Sequence, residues 1–436
     1  MQYRHDQRGV SENPAEFTAA QAGTLRPRIE KELGNDFYIY TQPVMAEDLI
    51  VVTTAIRGKV FAFNPKTGDP AWPTREDLSQ PVATDCGGSK LVGFWNSAAI
   101  AGDLVYVASP DGKLYALRRS DGTTAWSTVI ADGSAAGHGE FVQSSPSVST
   151  ALGKLYLGVA SSAHCDLIPG RVIAVDLATH AVTRKELLGP GQRGAAVWSS
   201  VTVAEDENRI YVSSGNQVGG RAAEPLAQAI VAMDAKTLEV LDHWQNPTAL
   251  ENCDFGSSPT IFNAGGEKLV AATSKDGFLY VLRRNALAQG PLWTFKLAML
   301  DPADLTVGAD PVKGYGSIST PVFASGRLYA AGGRTPDDKY AGSVVAFDPA
   351  TGTPIWTHPT PGYVIAPLAA AGDILAVESS APDNFSSTLE ILDQKTGSVL
   401  KSFSSSTATY GAPAIGRGLV VWTDALAHLR VYEAVF

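Results

Sequence analysis

Charge is scarce in this chain. Asp, Glu, Lys and Arg make up 18% of its 436 residues, against roughly a quarter in an ordinary soluble domain. What charge there is leans acidic, with a net of −10, and the basic residues are dispersed: Arg118-Arg119 and Arg283-Arg284 are isolated pairs inside strand-like stretches. A phosphate backbone needs a basic face to neutralise it, so nucleic acid is excluded as a partner. Long apolar runs are missing too. None approaches the ~18 residues a spanning helix requires, so no membrane span is expected. The N-terminus has no apolar leader core, since polar residues follow Met1 at once. Either the protein is cytoplasmic, or Met1 stands where a leader has been removed from a periplasmic or secreted protein. Cysteine is almost absent. Cys86, Cys165 and Cys253 allow one disulfide and one free thiol in any of three pairings, which decides no compartment.

Gly and Pro are plentiful, 42 and 26, as an all-β chain with many turns requires. The stretch Asp111 to Trp126, DGKLYALRRSDGTTAW, is the template: an alternating strand, a Gly turn, then a second short strand closed by Trp. Period-2 alternation sets Leu114 and Ala116 on one face and Tyr115 on the other. The pattern recurs from Gly58 to Trp72, from Gly342 to Trp356 and, with a longer turn, from Asp276 to Trp293; weaker copies begin at Gly170, Ala229 and Thr388. A repeat of this kind means one continuous structure despite the length. A second pattern marks the start of each repeat: Thr41-Gln42-Pro43, Ser97-Ala98, Ser145-Pro146, Ser200-Val201, Ser258-Pro259, Thr320-Pro321, Ala366-Pro367 and Ala412-Pro413, spaced 46 to 62 residues apart. Small residues suit the crowded axis of a propeller.

The final repeat breaks off at Phe436 before an outer strand of its own, whereas residues 25–33, LRPRIEKEL, resemble an outer strand with no repeat before it. Pairing the two closes a ring and removes two exposed edges. The predicted fold is therefore all-β: one eight-bladed β-propeller of four-stranded antiparallel blades over residues 25–436, with the N-terminal strand closing the last blade. Residues 1–24 are a surface arm with one short helix.

Function in a propeller lies in the loops that interrupt its blades. Here the interruptions are DCGGSKLVGFWN from Asp85, DGSAAGHGEFVQ from Asp132, SSAHCDLIPG from Ser161, GPGQRGAAVW ending at Trp198, SGNQVGGRAAEPLAQ from Ser214, ENCDFGSS from Glu251 and a long loop ending at Ser317. Residues just before each innermost strand ring one mouth of the channel, which makes Tyr40, Trp95, Gln143, Trp198, Asp254, Tyr315, Tyr363 and Tyr410 rim candidates. Mostly aromatic with few charges, they describe a pocket for a flat or apolar small organic molecule in a monomeric protein. Asp254 is the candidate base and Glu140 or His138 the candidate acid, because a carboxylate pressed into an aromatic pocket is tuned toward proton transfer.

The repeat resembles that of the pyrroloquinoline-quinone (PQQ) propeller proteins. Ala195 to Asn216, DFGSSP at Asp254 to Pro259, and the DCGG and HCD stretches at Cys86 and Cys165 are similar to quinoprotein dehydrogenases of the polyvinyl-alcohol dehydrogenase type. The resemblance implies that Trp198 lies on a quinone plane, that Asn216 ligates calcium, that Asp254 is base and neighbouring ligand, and that Cys86 and Cys165 form a disulfide with Cys253 free. The chain departs from that pattern: Ala163, His164 and Cys165 stand where a Glu ligand is expected after Ser161-Ser162, and Asn252-Cys253-Asp254 replaces a paired Asp-x-Asp. The adjacent Cys-Cys pair of many members is also absent. Asn216 and Asp254 alone hold a hard cation poorly. The expected activity is an altered PQQ-dependent alcohol dehydrogenase or a non-redox acid–base enzyme; the alternative is a non-catalytic scaffold resembling the outer-membrane assembly lipoprotein that shares this propeller.

Overall fold

A computed structural model describes residues 17–34, 39, 41–79, 81–84, 88–91, 93–110, 112–133, 140–161, 168–303, 310–382 and 386–435. The template repeat shows why the sequence folds as it does. Its third strand, Lys113–Arg118, pairs antiparallel with Leu104–Ala108 on one side and Thr124–Val129 on the other, and Ala99–Ala101 is innermost. Leu114 and Ala116 enter one hydrophobic core, Tyr115 and Leu117 the next. Both faces of the sheet are thus buried, each against a neighbouring blade, so alternation divides side chains between two cores rather than between core and water.

Eight such sheets follow one another around the ring. Blades 2 to 7 each place four consecutive strands from the axis outward, and a short extra hairpin, Pro81–Thr84 with Gly88–Leu91, lies between blades 1 and 2. Blade 1 has three strands, Val44–Met45, Ile50–Thr53 and Val60–Phe63, with its outer edge held by the isolated bridges Val60 to Arg75 and Phe63 to Pro70. Blade 8 takes its fourth strand from the other end of the chain: Arg26–Glu32 pairs antiparallel with His428–Glu433, from Arg26 opposite Glu433 to Glu32 opposite His428, with a bulge between Pro27 and Ile29. The predicted closing strand is therefore present.

Two devices hold neighbouring blades together. On the outside, the Trp that ends one blade packs on the turn of the next. Gly352, at φ +75°, has no room for a Cβ because Trp293 lies 2.5 Å from where it would stand. Across the closure Ile29 takes the place of Trp, its Cγ2 2.9 Å from the Cβ position of Gly68. On blade 3 the turn residue is His180, stacked on Trp126 at 4.1 Å between ring centroids. Near the axis, hydroxyls do the same work. The backbone N–H of Gln42 donates to Ser97 Oγ at 2.8 Å, Ser97 to Ser145 at 2.7 Å, Ser145 to Ser200 at 3.2 Å, Ser200 to Ser258 at 2.9 Å and Ser258 to Thr320 Oγ1 at 3.1 Å. Each bond satisfies a buried donor that the innermost strand cannot pair within its own sheet. Ala366 and Ala412 bring no hydroxyl to blades 7 and 8.

Thr18 caps the short helix Ala19–Gly23, with Gln21 completing the capping box. Phe17, Ala22 and Leu25 are buried in the core between blades 7 and 8, so this part of the arm is a plug in that core. Among the described residues no helix is long and apolar enough to cross a membrane.

Candidate functional site

Within each blade the loop before the first strand and the loop between the second and third strands emerge at the same end, because the strands are antiparallel. At blades 4 and 5 this brings four loops together. Trp198 precedes Thr202–Ala204, Asn216 follows Arg209–Ser213, Asn252 and Asp254 precede Thr260–Ala264, and Lys275 follows Glu267–Thr273. The loops are stitched by backbone bonds from Gly215 to Ala196 O at 2.7 Å, from Ala195 to Asn216 O at 2.8 Å and from Lys275 to Asp254 O at 3.1 Å.

The side chains converge. Trp198 Nε1 donates to Asp254 Oδ2 at 3.0 Å. Lys275 Nζ lies 2.7 Å from Asp254 Oδ1, 3.3 Å from Asn252 Oδ1 and 5.4 Å from the centroid of the Trp198 ring. Asn216 donates to Asn252 Oδ1 at 3.0 Å and accepts from Gln228 Nε2 at 3.4 Å. Asp254 is 3% exposed; its Oδ1 is buried and, among the described residues, has no well-directed hydrogen bond despite the nearby ammonium. Gly256 allows the ring to lie where it does, since a Cβ there would overlap both Trp198 and Ile318. The cluster is thus one carboxylate, one ammonium, two amides and a half-buried indole.

Beneath Lys275 lies a rigid support. Asp276 Oδ2 accepts from Tyr280 Oη at 2.5 Å and Asn246 Nδ2 at 2.8 Å, while its Oδ1 accepts from the N–H of Phe278 at 3.0 Å. Burial pushes the Asp276 carboxyl above its ordinary value against the pull of these bonds, and burial, then the Asp276 charge, raises the Tyr280 phenol. This turn aims Lys275, which sequence reasoning missed. A signal exists: SKDGFLYVL from Ser274 aligns with SPDGKLYAL from Ser109, so a lysine stands where the template repeat has Pro110.

The other expected site residues are dispersed. Glu140 is buried and ion-paired with Arg171, and its Oε2 accepts the N–H of Asp132 at 2.8 Å. Trp95 meets Phe141 edge-on at 5.6 Å. Tyr363 is fully buried, its ring against Gly314. Gln143, Tyr315 and Tyr410 are half-buried. Tyr40, His138, Cys86 and the His164-Cys165-Asp166 run lie outside the described residues, and with them the proposed disulfide; Cys253 is buried.

Calcium with PQQ can be tested against the donors present. A hard cation of this size takes six to eight oxygens. Among the described residues no group of three or more His, Cys, Asp and Glu side chains is placed to hold a metal. Asp254 Oδ2 is engaged by Trp198, and Asn252 Oδ1 by both Asn216 and Lys275. These residues do not fit a calcium ion.

A family model described as outer membrane protein assembly factor BamB, built on PQQ-type repeats, matches residues 21–286 and 281–432. The chain is 24% identical over 319 residues to the polyvinylalcohol dehydrogenase of Sphingopyxis sp. (strain 113P3), covering 61% of this chain and 46% of that protein. It is 32% identical over 96 residues to the outer membrane protein assembly factor BamB of Salmonella typhimurium, covering 22% and 23%. The matches therefore span less than half the length of these two relatives. Among solved structures, the quinohemoprotein alcohol dehydrogenase of Pseudomonas putida HK5 superposes with TM-score 0.75 at 16% identity, over 99% of this chain and 79% of that one. A europium-containing methanol dehydrogenase gives 0.74 at 15%, over 99% and 97%, and BamB of Moraxella catarrhalis 0.60 at 17%, over 94% and 99%. At these identities the likeness is one of fold.

Proposed function

The chain belongs to the PQQ-repeat propeller family, and from that membership and the Asp254 cluster we propose that it is a small-molecule enzyme acting at the junction of blades 4 and 5. The substrate class is a planar organic molecule bearing an anionic or carbonyl group. Trp198 is the platform, Lys275 the charge partner, and Asp254 the base. The observation that carries this reading is Asp254, a buried carboxylate held at Oδ2 by the Trp198 indole and paired at Oδ1 only with the Lys275 ammonium among the described residues. A buried carboxylate oxygen of this kind costs a fold stability, and its retention in a cleft between two blades calls for an explanation, of which function is one.

Asp254 takes a proton from the ligand at Oδ1 while the Trp198 N–H holds Oδ2 in place. The Lys275 ammonium then faces the negative charge left on the ligand. At 4 Å such a pair is worth about 1 kcal/mol in bulk water and about 4 kcal/mol at an effective dielectric of 20, so partial burial decides how useful it is. His138 and Glu140 are the candidate acids, and Glu140 must first leave Arg171. No step runs through calcium or a quinone. The family description also supports a periplasmic or secreted site of action.

The test is calorimetric titration, in EDTA, with a panel of planar carboxylates that includes PQQ. Saturable binding lost in Trp198→Ala and Lys275→Ala supports the reading. Binding by no member of the panel, or binding equal in both variants, defeats it. The second reading is a non-catalytic scaffold for protein partners, favoured by the family description and by exposed Val218, Val312 and Tyr340. It predicts that substitutions at Asp254 leave partner capture unchanged while substitutions at those three weaken it.

A further inference from the structure

The poor fit to calcium has more than one structural cause, and Lys275 is one of them. Its Nζ makes the contacts a bound cation would make: a carboxylate oxygen at 2.7 Å, an amide oxygen at 3.3 Å and the face of an indole at 5.4 Å from the centroid. A calcium-sized ion on Asp254 Oδ1 would sit about 2.4 Å from that oxygen, leaving two cations crowded around one carboxylate. Their repulsion grows as water is excluded, and the lysine side chain is only 16% exposed. Lys275 is also not free to swing away cheaply. It leaves the backbone at the Asp276 turn, which Tyr280, Asn246 and Phe278 hold by three hydrogen bonds. The amides are arranged to match: Asn252 turns its oxygen toward the ammonium, and Asn216 turns its nitrogen, not its oxygen, toward Asn252.

We infer that Lys275 is a built-in cation: its ammonium fills the position a divalent metal would take beside Asp254, so that the site receives anionic ligands without metal. The charge is monovalent, carries protons and cannot be removed by chelation. This inference concerns the charge of the site and stands whether or not the occupant is a substrate.

Terbium(III) is a suitable probe, since it seeks hard oxygens and emits when excited through a nearby tryptophan, here Trp198. Full-length protein, Asp254→Asn, Lys275→Met, Lys275→Gln and the Lys275→Met/Asp254→Asn double variant are titrated, each first shown to be folded by circular dichroism. The parent protein should show only the emission that Asp254→Asn also shows, which comes from other carboxylates of an acidic chain. Lys275→Met or Lys275→Gln should gain a saturable emission that the double variant loses. Emission from the parent that Asp254→Asn abolishes overturns the inference, and so does a failure of both folded Lys275 variants to gain any. Neither result bears on the calorimetric panel, so the two readings fail separately.

Discussion

Trp198 donates its indole N–H to Asp254 across 3.0 Å, although 56 residues separate them. The bond joins blade 4 to blade 5 and fixes a carboxylate beside the edge of an indole ring. Lys275, on the far side of the carboxylate at 2.7 Å, completes a charge-neutral group, so the three residues act as one. Asp254→Asn removes the proposed base and should lower the rate on any substrate by roughly 10²-fold or more. It also leaves the ammonium without its partner, so a stability loss on the order of 1–3 kcal/mol is expected. Asp254→Asn combined with Lys275→Met should regain stability without activity, since removing both members of a buried pair costs less than removing one. Denaturant melts of the parent and both variants beside steady-state rates check this; full stability in Asp254→Asn alone would contradict it.

Gly256→Ala should displace Trp198. The added Cβ meets Trp198 on one side and Ile318 on the other, and Ile318 is half-buried in the same wall. Overpacking of this kind costs typically 1–3 kcal/mol. The expected result is weakened ligand binding with the overall circular dichroism retained. Unchanged affinity would show that the ring's position does not matter.

Deleting residues 1–33 should leave the edge of blade 8 open. His428–Glu433 would lose its whole partner strand, the ion pairs of Glu433 with Arg26 and Arg28, and the Ile29 contact to blade 1 at Gly68. Unpaired edges promote association. Light scattering and a thermal melt should show aggregation or a lower Tm; an unchanged melt rules out the closure as a source of stability.

Stability should also depend on pH through the core between blades 7 and 8. Glu378 is fully buried, and among the described residues neither of its oxygens has a well-directed hydrogen bond, although the Trp422 indole lies close. Burial, helped by the charge of Asp424, lifts its carboxyl well above the ordinary value against the pull of the Trp422 indole. The folded state therefore holds a proton that the unfolded chain releases, so this group's favourable contribution is present in acid and is lost as pH rises from the unfolded value through the raised one. Asp424 has the opposite sign. Burial works to raise it, but Arg430, Ser405 and His428 bring it below its ordinary value, and its contribution is lost as pH falls. Glu378→Gln should flatten the fall in Tm between pH 5 and pH 8 while the acid limb persists. An equal fall in both proteins would mean that Glu378 is not the titrating group.

The fold was legible because its signals are local and repeated. Alternation at Leu114, Tyr115 and Ala116, the turn glycines and the unpartnered stretch at 25–33 each follow from backbone geometry. What the hydroxyls of Ser97, Ser145, Ser200, Ser258 and Thr320 do was not legible: smallness shows in the sequence, whereas the N–H each accepts belongs to the preceding blade. The site was half legible. Trp198 and Asp254 follow from their positions before inner strands, and Asn216 from the family resemblance alone. Lys275 and Asn252 become partners only when blades 4 and 5 are set side by side. Glu140 shows the converse, since its loop position suggested an acid and Arg171, 31 residues away in a neighbouring strand, already binds it. Position before a strand likewise made Tyr363 a rim residue, whereas its ring is buried beside Gly314.

The central claim is that ligand meets protein at Trp198 and Asp254. Its most direct test is the indole region of a nitrogen–proton correlation spectrum, where each of the eight tryptophans gives one signal and Trp198→Phe assigns the one that matters. Titration with the planar carboxylate that binds best in calorimetry should shift the Trp198 signal saturably, with the same midpoint as the heat, and Lys275→Ala should abolish that shift. A ligand that saturates the heat signal while the Trp198 resonance stays in place would contradict the account.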